Sequence, residues 1–494
     1  MYYPSLKEFI KLSRDYNVIP VYKEINADLD TPVSAFLKIK KNDYAFLLES
    51  VEGQEKLARY SFLGSRPSFI FKSKEKNIEM IFAQKKIIRR FITNTSPLDE
   101  IKKFMQNFKA VDIKGLPRFW GGLVGYIGYD FVRFFEEIPD KNPDDLRLPD
   151  AFFILTDTIL IFDHIKHTIK IVNNVIFEKD RLSGNKKHRI YISAIKKIES
   201  IHDTLSKPLN YNKLQVKNLR EKIKITSNFK KSEFINIVKK AKEYIKKGDI
   251  TQVVLSQRLK IPIKKSPFFI YRDLRNINPS PYMFFLKLKD IILIGSSPEM
   301  LVRCEDGIIE TRPIAGTRPR GNTEEEDKRL EWQLLNSNKE KAEHIMLVDL
   351  GRNDLGRVSK IGKVEVKEFM KVERYSHVMH LVSEIKGIID KRYNIYDVLK
   401  ACFPAGTVTG SPKIRAMEII DELENIRRGP YAGCVGYFSF SENMDTCITI
   451  RTILIKNNIA YIQTGAGIVA DSQPKKEYLE SINKAKALLE ALIR

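Results

Sequence analysis

Glu310-Thr-Arg-Pro-Ile-Ala-Gly-Thr-Arg-Pro-Arg-Gly321 and, some thirty residues on, Ala342-Glu-His-Ile-Met-Leu-Val-Asp-Leu-Gly-Arg-Asn-Asp354 are the two stretches on which the reading of this 494-residue chain turns. The second has helical spacing. Over 339–350, Glu343 shares a face with Met346, Leu347 and Leu350 through i, i+3, i+4, i+7 steps, which aims a carboxylate into apolar surroundings. A carboxylate so placed needs a cation or a proton. A bound metal, a neutral or salt-bridged buried glutamate, and an exposed residue at the edge of the stripe all satisfy the same spacing.

Outward from these motifs, helices such as 232–247 alternate with strands such as 250–261, 282–288, 291–294, 433–440, 446–455 and 459–464. Many of the strands are joined by links as short as Lys456-Asn-Asn458, which favours antiparallel or mixed sheets over a doubly wound parallel one. Residues 1–175 read as strands (44–50, 60–64, 152–162) with helices near 5–15 and 97–108. Between 176 and 228 the chain is hydrophilic and lysine-rich, with helical spacing over 192–201; this connection divides 1–175 from 229–494. A final helix is expected to open at Asp471-Ser-Gln-Pro474, to turn Leu479, Ile482 and Leu489 inward, and to carry Glu480.

Composition excludes several classes. With 43% hydrophobic and 30% charged residues, no apolar run approaches the roughly 20 residues of a membrane span. The first residues lack a charged-then-apolar leader, so a cytoplasmic location is expected. Cys304, Cys402, Cys434 and Cys447 have neither CxxC nor zinc-knuckle spacing. A net charge of +23 raises the alternative of a basic nucleic-acid-binding protein. The lysines are spread along amphipathic segments, however, and no RNP1, GXXG or zinc-finger module is present, so a solvated basic surface is expected.

Several further residues have a local pattern with two readings. In an expected strand 447–455, Arg451 alternates with Thr449 and Ile453 and is suited either to grip a carboxylate or to close an internal salt bridge. Gly465-Ala466-Gly467 follows an expected strand 459–464 and is small enough for backbone N–H groups to meet an anion. The loop Pro404–Lys413 feeds a helix with Ser411 as expected N-cap and Pro412 in its first turn; lacking Gly-Lys-Ser/Thr, it is no phosphate loop. His380 lies in an alternating strand 376–385 on the face of Val378 and Val382, where a core histidine is the commoner occupant. Glu299, in Ser296-Ser-Pro-Glu299, reads as a helix or turn start.

As a set, these motifs resemble the chorismate-utilising enzymes, densely over about 230–490 and more loosely over 1–175. The resemblance implies an α+β fold, two mixed or antiparallel β-sheets packed as a sandwich with helices outside and an active-site cleft in the carboxy-terminal part. It implies Mg²⁺ on Glu343 and Glu480. It implies chorismate contacts from Gly316, Thr317, Tyr431, Arg451, Gly465, Ala466 and Gly467. His380 corresponds to a histidine that acts in expelling the enolpyruvyl side chain, Glu299 to an acid for the departing ring hydroxyl, and Thr407 to an active-site threonine.

Within that family three positions discriminate. Ala315 stands where aminodeoxychorismate-forming relatives usually carry a nucleophilic lysine. Gln252 stands where isochorismate- and salicylate-forming relatives usually carry a lysine that activates water, and an amide cannot act as that base. Arg312 stands where the latter tend to have glutamate. The resemblance therefore points to the anthranilate-forming branch, with aminodeoxychorismate formation as the nearest alternative. Only about a dozen residues follow Glu480, so ammonia is expected from a separate glutamine amidotransferase subunit. Leu47-Leu-Glu-Ser50 and Asn278-Pro-Ser-Pro-Tyr-Met283 resemble the halves of a tryptophan inhibitor site, with Ser50, Pro281, Tyr282 and Met283 as contacts, which makes 1–175 regulatory and 229–494 catalytic by resemblance.

Overall fold

Strands whose two faces are both apolar must be covered on both sides. Tyr282–Leu288 shows how this chain meets that demand. Phe284, Leu286 and Leu288 face one hydrophobic core, and Met283 and Phe285 face a second. The computed structural model describes residues 1–40, 43–51, 59–178, 184–209, 224–375 and 378–494. Among these, two sheets of twelve strands each stack face to face, and every pairing within them is antiparallel. Phe46, Phe62, Leu255 and Leu293 of the first sheet share the inter-sheet core with Phe71, Val124, Phe153 and Val302 of the second. Helices Pro32–Ile39, Gly184–Leu205, Pro267–Ile277 and Pro474–Ile493 cover the outer face of the first sheet through Phe36, Ile198, Tyr271 and Ala485.

Residues on either side of the expected 176–228 connection are joined in both sheets. In the first, Tyr44–Glu49 pairs with Tyr282–Leu288, setting Glu49 opposite Met283. In the second, Gly122–Ile127 pairs with Cys434–Ser439. The connection itself contains the helix Gly184–Leu205; residues 179–183 and 210–223 lie outside the described residues.

The chain passes from one sheet to the other within a single apparent strand in several places. The run 152–162 is two strands, Ala151–Thr156 in the second sheet and Thr158–Asp163 in the first. The run 446–455 likewise divides into Met444–Ile448 and Thr452–Lys456, in different sheets. Ser297 and Met300, the end of Ile291–Ser297 and the start of Met300–Glu305, bracket a third crossover at Pro298 and Glu299. Both expectations of one long strand fail for the same reason: each half faces the shared core, so the apolar pattern continues across the switch.

Other expectations shift locally. Ser411 is not a helix cap; it pairs with Gln252 in a short strand, and helix Lys413–Leu423 begins after it with no side-chain cap. Gly465, Ala466 and Gly467 lie inside the strand Ile459–Ile468 rather than after it. In the last helix Leu479 points outward at 51% exposure, because Glu477, Ser481, Ala485 and Leu488 form the buried stripe. The long hairpin Ser359–Arg374 with Val378–Ile389 replaces the shorter expected strand, whose first two residues, 376 and 377, are outside the described set.

Candidate active site

The two crossovers at 298–299 and 449–451 run side by side and bind each other. Ile448 N–H donates to the Glu299 carbonyl (3.0 Å), Ser296 N–H donates to the Arg451 carbonyl (3.1 Å), and Ser297 Oγ donates to the Ile448 carbonyl (2.7 Å). Arg451 adopts φ +49°, which a non-glycine residue holds only where its surroundings impose it. This seam delivers Glu299 and Arg451 to one cavity of about 540 Å³. Arg451 is therefore not a strand residue projecting from a semi-apolar face; it sits at the switch between sheets, with Nη1 donating to the Lys484 carbonyl at 2.7 Å.

The same cavity is lined by His380, Thr407, Gly316, Thr317, Tyr431, Gly465, Gly467, Glu343 and Glu480, which come together from across the carboxy-terminal half. Ala466 does not line it: its methyl is fully buried in the inter-sheet core. Thr407 Oγ1 donates to Glu299 Oε2 at 2.8 Å. Burial pushes the Glu299 carboxyl up, against the opposing pull of Thr407, Lys484 and Arg451. A carboxyl so held is suited to deliver a proton.

Strand Ile314–Pro319 carries a bulge between Ala315 and Thr317, where Gly316 has φ +66°. The bulge turns the Gly316 carbonyl to His380 Nδ1, 2.8 Å away, with Thr317 Oγ1 at 3.1 Å from the same nitrogen. A carbonyl only accepts, so Nδ1 carries the ring proton and Nε2 is left as the base. Burial, joined by the charge of Arg451, lowers the His380 pKa against the opposing pull of the Gly316 carbonyl, and the lowered pKa favours the neutral ring. Gly465 serves a different need: a Cβ there would stand 2.6 Å from the Leu255 carbonyl and 3.0 Å from Tyr431 Oη.

Two helices supply carboxylates in matching i, i+3 pairs. Asn338–Gly356 brings Glu340 and Glu343, and Pro474–Ile493 brings Glu477 and Glu480; all four line the cavity. Glu343 stands at the edge of its helix's buried stripe of His344, Leu347 and Val348. Its pKa is raised by burial, then by the charges of Glu340 and Glu480. Glu477 is raised by burial and by Glu480, against the pull of Ser472. Lys339 and Lys484 pull the Glu343 pKa back, and Glu340 is paired with Arg318 at 3.2 Å, so the charges are partly compensated; the oxygens of Glu343 and Glu480 are of the kind a hard divalent cation takes. Sequence reasoning missed Glu340, Glu477 and Lys484. The last pairs with Glu480 at 2.9 Å and donates to the Gly465 carbonyl at 3.0 Å. Their only sequence signal was helical spacing from Glu343 and Glu480.

Of the three discriminating positions, Ala315 and Gln252 line the cavity. The Gln252 side chain is buried and its Oε1 accepts no hydrogen bond from the described residues. Arg312 is not in the cavity wall; it turns to another cleft and pairs with Glu373 at 2.5 Å. Elsewhere, Ser50, Pro281, Tyr282 and Met283 line a separate small cavity of about 60 Å³. Among the described residues the buried Ser50 Oγ has no partner, and the Glu49 carboxylate beside it accepts from Tyr271 Oη and lies 3.3 Å from Arg275.

A family model of chorismate-binding enzymes matches residues 45–490, and the chain belongs to that family. It is 51% identical to anthranilate synthase component 1 of Acetivibrio thermocellus, over 100% of this chain and 99% of that protein. It is also 51% identical to anthranilate synthase component 1 of Aquifex aeolicus, over 99% and 97%. Within the family it stands with the large subunits of anthranilate synthase. The crystal structure of anthranilate synthase component I from Streptococcus pneumoniae TIGR4 superposes with a TM-score of 0.77 at 36% identity, covering 94% of this chain and 98% of that one.

Proposed function

We propose that the chain converts chorismate and ammonia to anthranilate, pyruvate and water. The observation that carries this reading is the cavity wall itself, which presents Ala315 and the amide of Gln252 where lysine-dependent relatives carry a nucleophile or a base. Ammonia, unlike water, needs no base to become a nucleophile, so it attacks ring C2 directly. Arg451 pairs with a substrate carboxylate, and the backbone between Gly465 and Gly467 closes against the ring. Glu299, hydrogen-bonded by Thr407, protonates the C4 hydroxyl as the C4–O bond breaks and water leaves. His380 Nε2 then takes the C2 proton while the C3–O bond breaks, which restores the aromatic ring and releases enolpyruvate to tautomerise to pyruvate.

Glu343 and Glu480, backed by Glu340 and Glu477, would hold Mg²⁺. When bound, the ion neutralises a substrate carboxylate and draws electron density from the ring as bonds break. We further assign ammonia supply to a separate glutamine amidotransferase subunit, and feedback inhibition by tryptophan to the cavity of Ser50, Pro281, Tyr282 and Met283. The Ser50 hydroxyl, without a partner among the described residues, supports that assignment as a group able to take an amino acid's polar end. Four buried free thiols support a reducing, cytoplasmic location; among the described residues no helix is long and apolar enough to cross a membrane.

The test is product formation from chorismate, Mg²⁺ and ammonium, followed by fluorescence and checked by mass, with tryptophan added to a parallel sample. Anthranilate that falls when tryptophan is added is the expected result. Aminodeoxychorismate or isochorismate as the end product would overturn the reading of Ala315 and Gln252.

A further inference from the structure

Beneath the cavity floor lies an ion pair that none of these steps uses. Arg428 is 2% exposed and Glu424 4%. Arg428 Nε and Nη2 donate to the two Glu424 oxygens at 3.0 and 2.6 Å. The rest of the guanidinium is equally committed: Nη1 donates to the Val408 carbonyl at 2.8 Å, and Nη2 to the Val254 carbonyl at 2.7 Å. Its Cζ lies 4.7 Å from the Tyr129 ring centroid and 5.6 Å from that of Tyr431. On the far side, Glu424 Oε1 accepts from Ser256 N–H and Oγ, both at 2.8 Å, and Ser256 Oγ accepts from Gln463 Nε2 at 2.8 Å.

Each end of this network reaches the cavity. Val408 follows Thr407, the donor to Glu299; Val254 and Gln463 line the wall; Tyr431 closes one side. Stability does not account for the pair, since a buried ion pair gains little over apolar groups of the same shape. Geometry does. A planar five-donor fork can bind two carboxylate oxygens and two carbonyls at once, whereas a lysine ammonium at the same place cannot span them.

We propose that Arg428 is a positioning residue for the reaction: held by Glu424, its guanidinium sets where the Thr407 hydroxyl and the Tyr431 ring stand relative to Glu299 and the substrate. This rests on the cavity being the chorismate site. Arg428 holds the Val408 carbonyl of the short helix Gly406–Val408 and also the carbonyl of Val254, whose N–H donates to the Thr409 carbonyl at 2.8 Å, so one guanidinium ties the Thr407 segment to its neighbouring strand.

The experiment is a double-mutant cycle on the full chain with chorismate, Mg²⁺ and ammonium: Arg428→Lys, Thr407→Val and the pair, each with an unfolding midpoint. Positioning predicts that Arg428→Lys unfolds cooperatively and loses about tenfold or more in kcat, while KM for chorismate moves less than about threefold. It also predicts that the double variant loses clearly less than the product of the two single losses, because part of the Arg428 effect runs through the Thr407 hydroxyl. A kcat for Arg428→Lys within about twofold of wild type, or losses that multiply independently in the double variant, would overturn it. Should Arg428→Lys fail to fold, Arg428→Met combined with Glu424→Gln removes both buried charges together, and the same cycle is read on that background with the same criteria. Failure of the wild type to make anthranilate would instead sink the assignment of the cavity, so the two failures are distinguishable.

Discussion

Glu343 is the residue at which charge, burial and chemistry conflict most directly. Its carboxylate is disfavoured by burial and by Glu340 and Glu480, so Glu343→Gln should leave the unfolding midpoint unchanged or higher while turnover falls about a hundredfold. Melts with and without Mg²⁺ check the cause: wild type should shift upward with the ion and the variant should not. A variant that simply unfolds would make Glu343 a structural residue. His380 makes a prediction of opposite kind. In its proposed role as a base it works when neutral, so activity should be lost as pH falls through its pKa, which burial and Arg451 hold below the ordinary 6.5 against the opposing pull of the Gly316 carbonyl. The acid limb of kcat/KM should therefore lie below pH 6.5 and disappear in His380→Gln; an acid limb at or above pH 7 that belongs to this residue would contradict the placement. The residues that sequence reasoning overlooked, Glu340, Glu477 and Lys484, were visible as letters three or four positions from Glu343 and Glu480. What was not visible is that the two helices face one another across a cavity, without which polar residues on a helix surface look alike.

Elements were legible wherever one face of the pattern had one fate. Tyr282–Leu288 matched its expected limits, and Lys231–Lys246 shifted by one residue, since each packs as a single unit. The runs 152–162 and 446–455 failed because alternation reports only that residues face a core, and here both sheets face the same one. The bulge at Gly316 was equally hidden, since a glycine beside Ala315 does not announce which way its carbonyl turns. Gly316→Ala tests what the bulge does. Its φ of +66° penalises a side chain, and a Cβ would lie 2.9 Å from Leu334 Cδ1 and 3.1 Å from Glu340 Oε2. The expected cost is about 1–2 kcal/mol of stability, read by denaturant unfolding. The loss of kcat should exceed what that cost explains, because the carbonyl that fixes the His380 proton moves with it. Loss of stability with kcat preserved would mean that the bulge serves folding alone.

At the scale of the whole molecule, both sheets are zipped together from strands on either side of the long connection, and the two cavities fall at joints in that assembly. The small cavity lies where Tyr44–Glu49 meets Tyr282–Leu288. At about 60 Å³ it has room for a few water-sized groups, so an amino acid as large as tryptophan would have to displace side chains such as Met283 and Tyr282, and with Tyr282 its bonds to Asp445 and Arg303. The cavity lined by Glu299 and Arg451 lies at the paired crossovers. The four sheet changes at 66, 157, 298–299 and 449–451 are one to three residues long. An ordinary loop absorbs added length by bulging into water, but here one extra residue would slide the register of a strand in one sheet against its continuation in the other. Insertion tolerance across the chain should therefore be sharply uneven. In a scan of short in-frame insertions, hairpin tips such as Asp306-Gly307 and Asn457-Asn458 should accept them with activity intact, while positions 298–299 and 449–451 should accept none. The folded length of this enzyme is free to drift at its rims, and the seam beside Glu299 and Arg451 holds the spelling of the chain to the letter count.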